Sequence, residues 1–132
     1  MRIRSSGEDS VSVKLSFAQA SLIRECLSLA IDTPGEDRMV KLYVGSSREE
    51  LESIRVMVAG IPQNASSECV FVYRQLHAIY ASIAHAVVGL PSEEDFHIRT
   101  GFYRENAIAL ARSMRLSVSE LLCSDPSQMK EG

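Results

Sequence analysis

The chain has 132 residues, 45% of them hydrophobic and 23% charged, a balance that excludes wholesale disorder and suits one domain with a sizeable core. Its net charge of −3 and pI near 5.6 give no basic footprint for nucleic acid and suit a basic partner better. Cys26, Cys69 and Cys123 are odd in number and lack metal-ligand spacing, so reduced thiols in a cytoplasmic protein are expected. The N-terminus has no apolar run of the signal-peptide kind, and no stretch approaches a membrane span.

Residues 1–10 are polar and read as a frayed end. Val11-Ser-Val-Lys-Leu15 alternates apolar and polar side chains, which predicts a half-buried strand over 11–17. Ser16-x-x-Gln19 is a capping-box pattern. Behind it Ala20, Ile23, Leu27, Ala30 and Ile31 recur at helical spacing, predicting a helix over 18–31. Leu22, Cys26 and Leu29 widen its stripe, so the helix should be covered on more than one side. Asp32-Thr-Pro-Gly35 ends it. Residues 39–44 stay open between strand and helix: β-branched and aromatic content favours a strand, while the matching 95–100 reads as a short turn of helix or an extended link.

Ser47-x-x-Glu50 opens a helix over 47–60 with Leu51, Ile54, Met57 and Val58 on one face. Turn formers from Gly60 to Ser67 make a linker. A second strand is expected over 68–74, and a helix over 75–89 carrying Leu76, Ile79, Ile83 and Val87, ended by Gly89-Leu-Pro91. A helix over 103–115 follows, then a separate short helix over 116–122 capped by Ser117 or Ser119, and a loose tail over 124–132.

Residues 12–61 slide onto 68–117 at a constant offset of 56 without a gap. Gly45-x-x-Arg48-Glu49 then falls on Gly101-x-x-Arg104-Glu105, Gln19 on Gln75, Ile23 on Ile79 and Ala30 on Ala86. The expected fold is α+β and mostly helical: a single domain over 1–132 with pseudo-repeats at 11–61 and 67–117. Each repeat is a strand-helix-link-helix unit, and the two strands form a small two-stranded ribbon. The expected core is Leu15, Phe17, Ile23, Leu27, Ile31, Ile54, Phe71, Ile79, Ile83, Val87, Leu110 and Met114. Unpaired strand edges and the broad stripes at Leu22/Cys26/Leu29 and Tyr80/Val87 point to a homodimer.

The Gly-x-x-Arg-Glu element admits two readings. Arg48 and Arg104 could bind an anion beside a helix start; more simply, glycine ends one segment, glutamates complement the next helix, and arginine reaches back. His77, His85 and His97 offer no third ligand at metal spacing, and no phosphate loop or nucleophile motif occurs. No enzyme activity, cofactor or metal is therefore expected. Glu49, Glu50 and Glu52 form one acidic cluster and Glu93, Glu94 and Asp95 another. They are ordinarily solvated faces, but stacked repeats could join them into one acidic surface.

Residues 94–107, Glu-Asp-Phe-His-Ile-Arg-Thr-Gly-Phe-Tyr-Arg-Glu-Asn-Ala, resemble the Glu-Phe-x-x-Arg-x-Gly-x-x-Arg-Glu-Glu-Ala tail of small uncharacterised bacterial proteins. Phe96, Arg99, Gly101, Arg104 and Glu105 are the matching positions; Asn106 replaces an acidic residue, and Val40 and Tyr43 stand where the first repeat lacks the Phe and Arg. The resemblance implies an immunity-type protein that masks a basic toxin. The two acidic clusters would contact the partner, and Arg99 and Arg104 would position that surface. Val13-Lys-Leu-Ser with its helix is similar to ribbon-helix-helix antitoxins, and residues 110–122 to the closing helices of some helix-turn-helix regulators. These imply the alternative, a DNA-binding regulator or antitoxin, which the missing basic cluster disfavours. A small enzyme of unrecognised class is the further alternative.

Overall fold

The computed structural model describes residues 1–64, 66–90 and 92–123; Ala65, Pro91 and the expected loose tail lie outside them. In chain order the elements are β1 (Arg2–Ser5), β2 (Ser10–Leu15), α1 (Phe17–Ile31), α2 (Asp37–Val44), α3 (Arg48–Ala59), β3 (Ser67–Val72), α4 (Tyr73–Gly89), α5 (Glu93–Thr100) and α6 (Arg104–Cys123). The α+β class and helical majority are as expected.

Three local expectations change, and one open choice is decided. Residues 2–5 are not frayed; they pair antiparallel with β2, so the expected ribbon is a three-stranded sheet in the order β1-β2-β3. Ile3 opposite Val13 drives this, because it adds a buried side chain to the inner face. The strands stop at Leu15 and Val72, and Phe17 and Tyr73 already belong to helices. Residues 37–44 and 93–100 are both helices, because each buries an i, i+4 pair: Val40 with Val44, and Phe96 with Thr100. Ser117 and Ser119 cap nothing. Helix α6 runs through them, and Val118 and Leu121 pack on the core beyond that point.

The order β-α-α-α occurs twice. Helix starts at 17, 37 and 48 recur at 73, 93 and 104, each 56 further on. Buried positions recur too: Ile23 with Ile79, Leu27 with Ile83, Val40 with Phe96, Ile54 with Leu110 and Val58 with Met114. In the β2–β3 ladder Val13 stands opposite Cys69, its own equivalent, so the offset maps the ladder onto itself as a two-fold axis would. Gly45 and Gly101 end α2 and α5 in the left-handed region, at φ 76° and 80°, which glycine alone adopts without strain.

The sheet covers one face of the helices, with α1 against α4 and α3, and α4 against α6. Val11, Val13, Leu15 and Phe71 face inward from the strands. Of the expected core, Phe17, Ile31 and Val87 are half-buried; the rest is buried. Leu22 and Cys26, two of the residues that argued for a homodimer, are buried within the chain itself.

Candidate functional site

The acidic clusters sit at helix starts, where carboxylates complement unsatisfied backbone amides. Ser47 caps α3, its Oγ accepting from Glu50 N at 3.2 Å. Ser92 caps α5, its Oγ accepting from Asp95 N at 3.4 Å. The two helices are not equivalents: the offset pairs α3 with α6 and α5 with α2. The clusters therefore do not lie at corresponding places of the two repeats, as one joint surface from stacked repeats would need, and among the described residues no hydrogen bond or ion pair joins one to the other.

Half of the predicted residues are committed within the chain. The Arg74 guanidinium engages both carboxylate oxygens of Glu50, one from Nε at 3.1 Å. Hydrogen bonding to Arg74 holds the Glu50 carboxyl below the usual range and raises the guanidinium in return. Glu52 accepts from Arg55 at 2.7 Å on each oxygen. Glu93 accepts the backbone N–H of Arg104 at 3.2 Å and so caps α6. Glu49, Glu94, Asp95 and Arg99 are exposed, and none has a side-chain partner among the described residues.

The paired arginines act inward. Arg48 donates from Nε to the Ile31 carbonyl at 2.9 Å, from its terminal nitrogens to the Thr33 and Gly35 carbonyls, and to Asp37. It clamps the turn between α1 and α2. Arg104 reaches the equivalent carbonyl, Val87, at 3.4 Å, while its buried Nε has no partner among the described residues. The reach-back reading holds for both.

Two grooves matter. One of about 340 Å³ lies between the start of α3 and the end of β3, lined by Glu49, Glu50, Ile54, Val72, Arg74 and Gln75. Sequence reading missed it because it joins residues of both repeats. Its equivalent between α1 and α6 is lined by Ala18, Gln19, Leu22, Phe102, Asn106 and Leu110 and lacks the carboxylates. The other groove, about 640 Å³ and largely apolar, runs between α4 and α6 past Tyr80, Met114 and Val118.

The histidines are dispersed. His85 stacks on Tyr43 with ring centroids 5.2 Å apart, and burial lowers its pKa; His97 stacks on Tyr103 at 4.6 Å. No group of three His, Cys, Asp or Glu able to hold a metal occurs among the described residues, and none of their helices is long and apolar enough to cross a membrane.

Burial pushes the Cys26 thiol up to about 12, and raises that of the half-buried Cys69; Cys123 is exposed. Because the thiolate is the nucleophile, a disulfide reagent at pH 8 should modify Cys123 first, Cys69 more slowly and Cys26 only on unfolding. The linkage has one sign: folded Cys26 resists ionising, so stability falls as pH rises from about 9 to about 12. Cys26→Ala should flatten that part of the curve, measured by urea unfolding at each pH.

Compared with known protein families, curated proteins and solved structures, the chain has no match.

Proposed function

We propose that the chain is a non-catalytic binding protein that masks a basic partner protein, such as a toxin domain. The observation that carries this reading is the set Glu49, Glu94 and Asp95: exposed carboxylates at two helix starts, unpaired among the described residues while their neighbours Glu50, Glu52 and Glu93 are committed. Unpaired exposed carboxylates steer a basic protein at long range and strengthen when a partner excludes water from them. The groove beside Glu49 adds a concave place for a cationic side chain with an apolar stem.

A second reading, nucleic-acid binding, is favoured by one feature. Arg2, Arg4 and Lys14 lie on the outer face of the sheet, Arg2 directly opposite Lys14. Glu68 stands on the same face and pairs with Arg4, which dilutes the patch. The two readings separate when the chain is fixed to a support and offered extract of the source cells together with labelled duplex DNA. Masking predicts retention of a basic protein that elutes as salt rises. Retention of duplex with no protein would overturn it.

A further inference from the structure

Strand β3 has an open edge whose chemistry can be read from the other side of the sheet. Tyr73 N donates to Asp9 O at 3.3 Å, so alternation turns the backbone groups of Ser67, Cys69 and Phe71 toward β2. Those of Glu68, Val70 and Val72 turn away. Gln75 Oε1 accepts the Val72 N–H at 3.0 Å; no backbone hydrogen bond among the described residues uses the outward groups of Glu68 and Val70. At the offset of 56 these two are the equivalents of Ser12 and Lys14, the residues of β2 that face Arg4 and Arg2 of β1. The place that β1 fills beside β2 therefore has a counterpart beside β3 that holds no strand among the described residues.

We infer that this edge takes an extended, basic segment of a partner protein by strand addition. The inference rests on the reading of the chain as a binder of a basic protein and specifies how the partner docks. Strand β1 is the template, with Arg2 and Arg4 outward and Ile3 inward. Opposite Ile3, Val13 is buried; its equivalent Cys69 is half-exposed, as expected where an apolar side chain is missing from the next strand. On the outer face Arg4 already reaches Glu68 from two strands away, and a basic residue directly opposite Glu68 would stand closer. Past Val72 the added segment would run toward the groove holding Glu49 and Glu50. A second copy of β3 fits less well, because it brings Glu68 and no cation. Main-chain bonding would give affinity and the alternating basic and apolar positions would give selectivity.

The test uses the full chain, a capped Lys-Val-Lys-Val-Lys peptide and a Glu-Val-Glu-Val-Glu counterpart, read by amide hydrogen exchange. With the basic peptide at ten times its Kd, the Glu68 and Val70 amides should exchange roughly tenfold more slowly, Cys69 should be unchanged, and the acidic peptide should do nothing. Val70→Pro removes an outward N–H, a change that edge strands tolerate, and should abolish binding while Glu49→Lys only weakens it. Binding that survives Val70→Pro but is lost in Glu49→Lys with Glu94→Lys would overturn strand addition and leave masking standing. Failure of the basic peptide to protect the edge, or protection that rises with chain concentration alone, would also overturn it, the latter in favour of a second copy.

Discussion

Phe71→Ala lowers the stability of the folded chain by about 3–5 kcal/mol, the range for emptying a buried aromatic site. Phe71 is wholly buried on the inner face of β3 and stands opposite Val11, also wholly buried. Removing the ring leaves a cavity between two elements that the sheet holds in place, so collapse cannot fill it cheaply. Against a total stability of about 5–15 kcal/mol, the melting temperature should fall by roughly 10–20 °C. One residue earlier on the same strand, Val70 is 53% exposed, and Val70→Ala should cost less than about 1 kcal/mol. Urea unfolding of the pair measures the contrast. Similar losses would mean that the inward face of β3 is wrongly assigned.

Arg48→Met should cost about 2–3 kcal/mol, and Arg104→Met about 1 kcal/mol or less, although both belong to the same Gly-x-x-Arg-Glu element. The difference comes from what each guanidinium reaches. Arg48 bonds three carbonyls and a carboxylate with a side chain only 26% exposed, so its loss strips the α1–α2 turn of its acceptors' partner. Among the described residues the Arg104 side chain makes one long bond and keeps a buried nitrogen unsatisfied; deleting that nitrogen offsets part of the loss. Lysine should not rescue position 48, because one ammonium cannot serve a fork of acceptors. Thermal unfolding of the three variants decides it, and a larger loss at Arg104 would contradict the clamp.

What the residues disclosed and what they hid have physical causes. The long helices were legible because the side chains of Ser16, Gln19 and Ser47 write their starts by accepting from nearby amides. Strand β1 was hidden because a four-residue segment with one inward side chain, Ile3, has no period of its own; its stability comes from β2. The short helices α2 and α5 had a signal that would have decided the open choice, the i, i+4 pairs Val40/Val44 and Phe96/Thr100. Continuity of α6 depends on Val118 and Leu121 packing against distant elements, which no local pattern around Ser117 reveals. Both acidic clusters were visible, but not which carboxylates the fold consumes. Glu50 is taken by Arg74, 24 residues away, and Arg104 by the carbonyl of Val87.

The proposed masking function rests on carboxylates without a partner among the described residues, so the most direct measurement compares a captured basic protein's affinity for the parent chain and for Glu49→Lys with Glu94→Lys. Both positions are exposed, so the variant should fold, losing only the small stabilisation that an acidic residue lends a helix start. Titration calorimetry at physiological salt should show binding weakened by about a hundredfold, as like charges meeting across an interface require. An unchanged affinity would place the contact elsewhere on the molecule and contradict the proposed function.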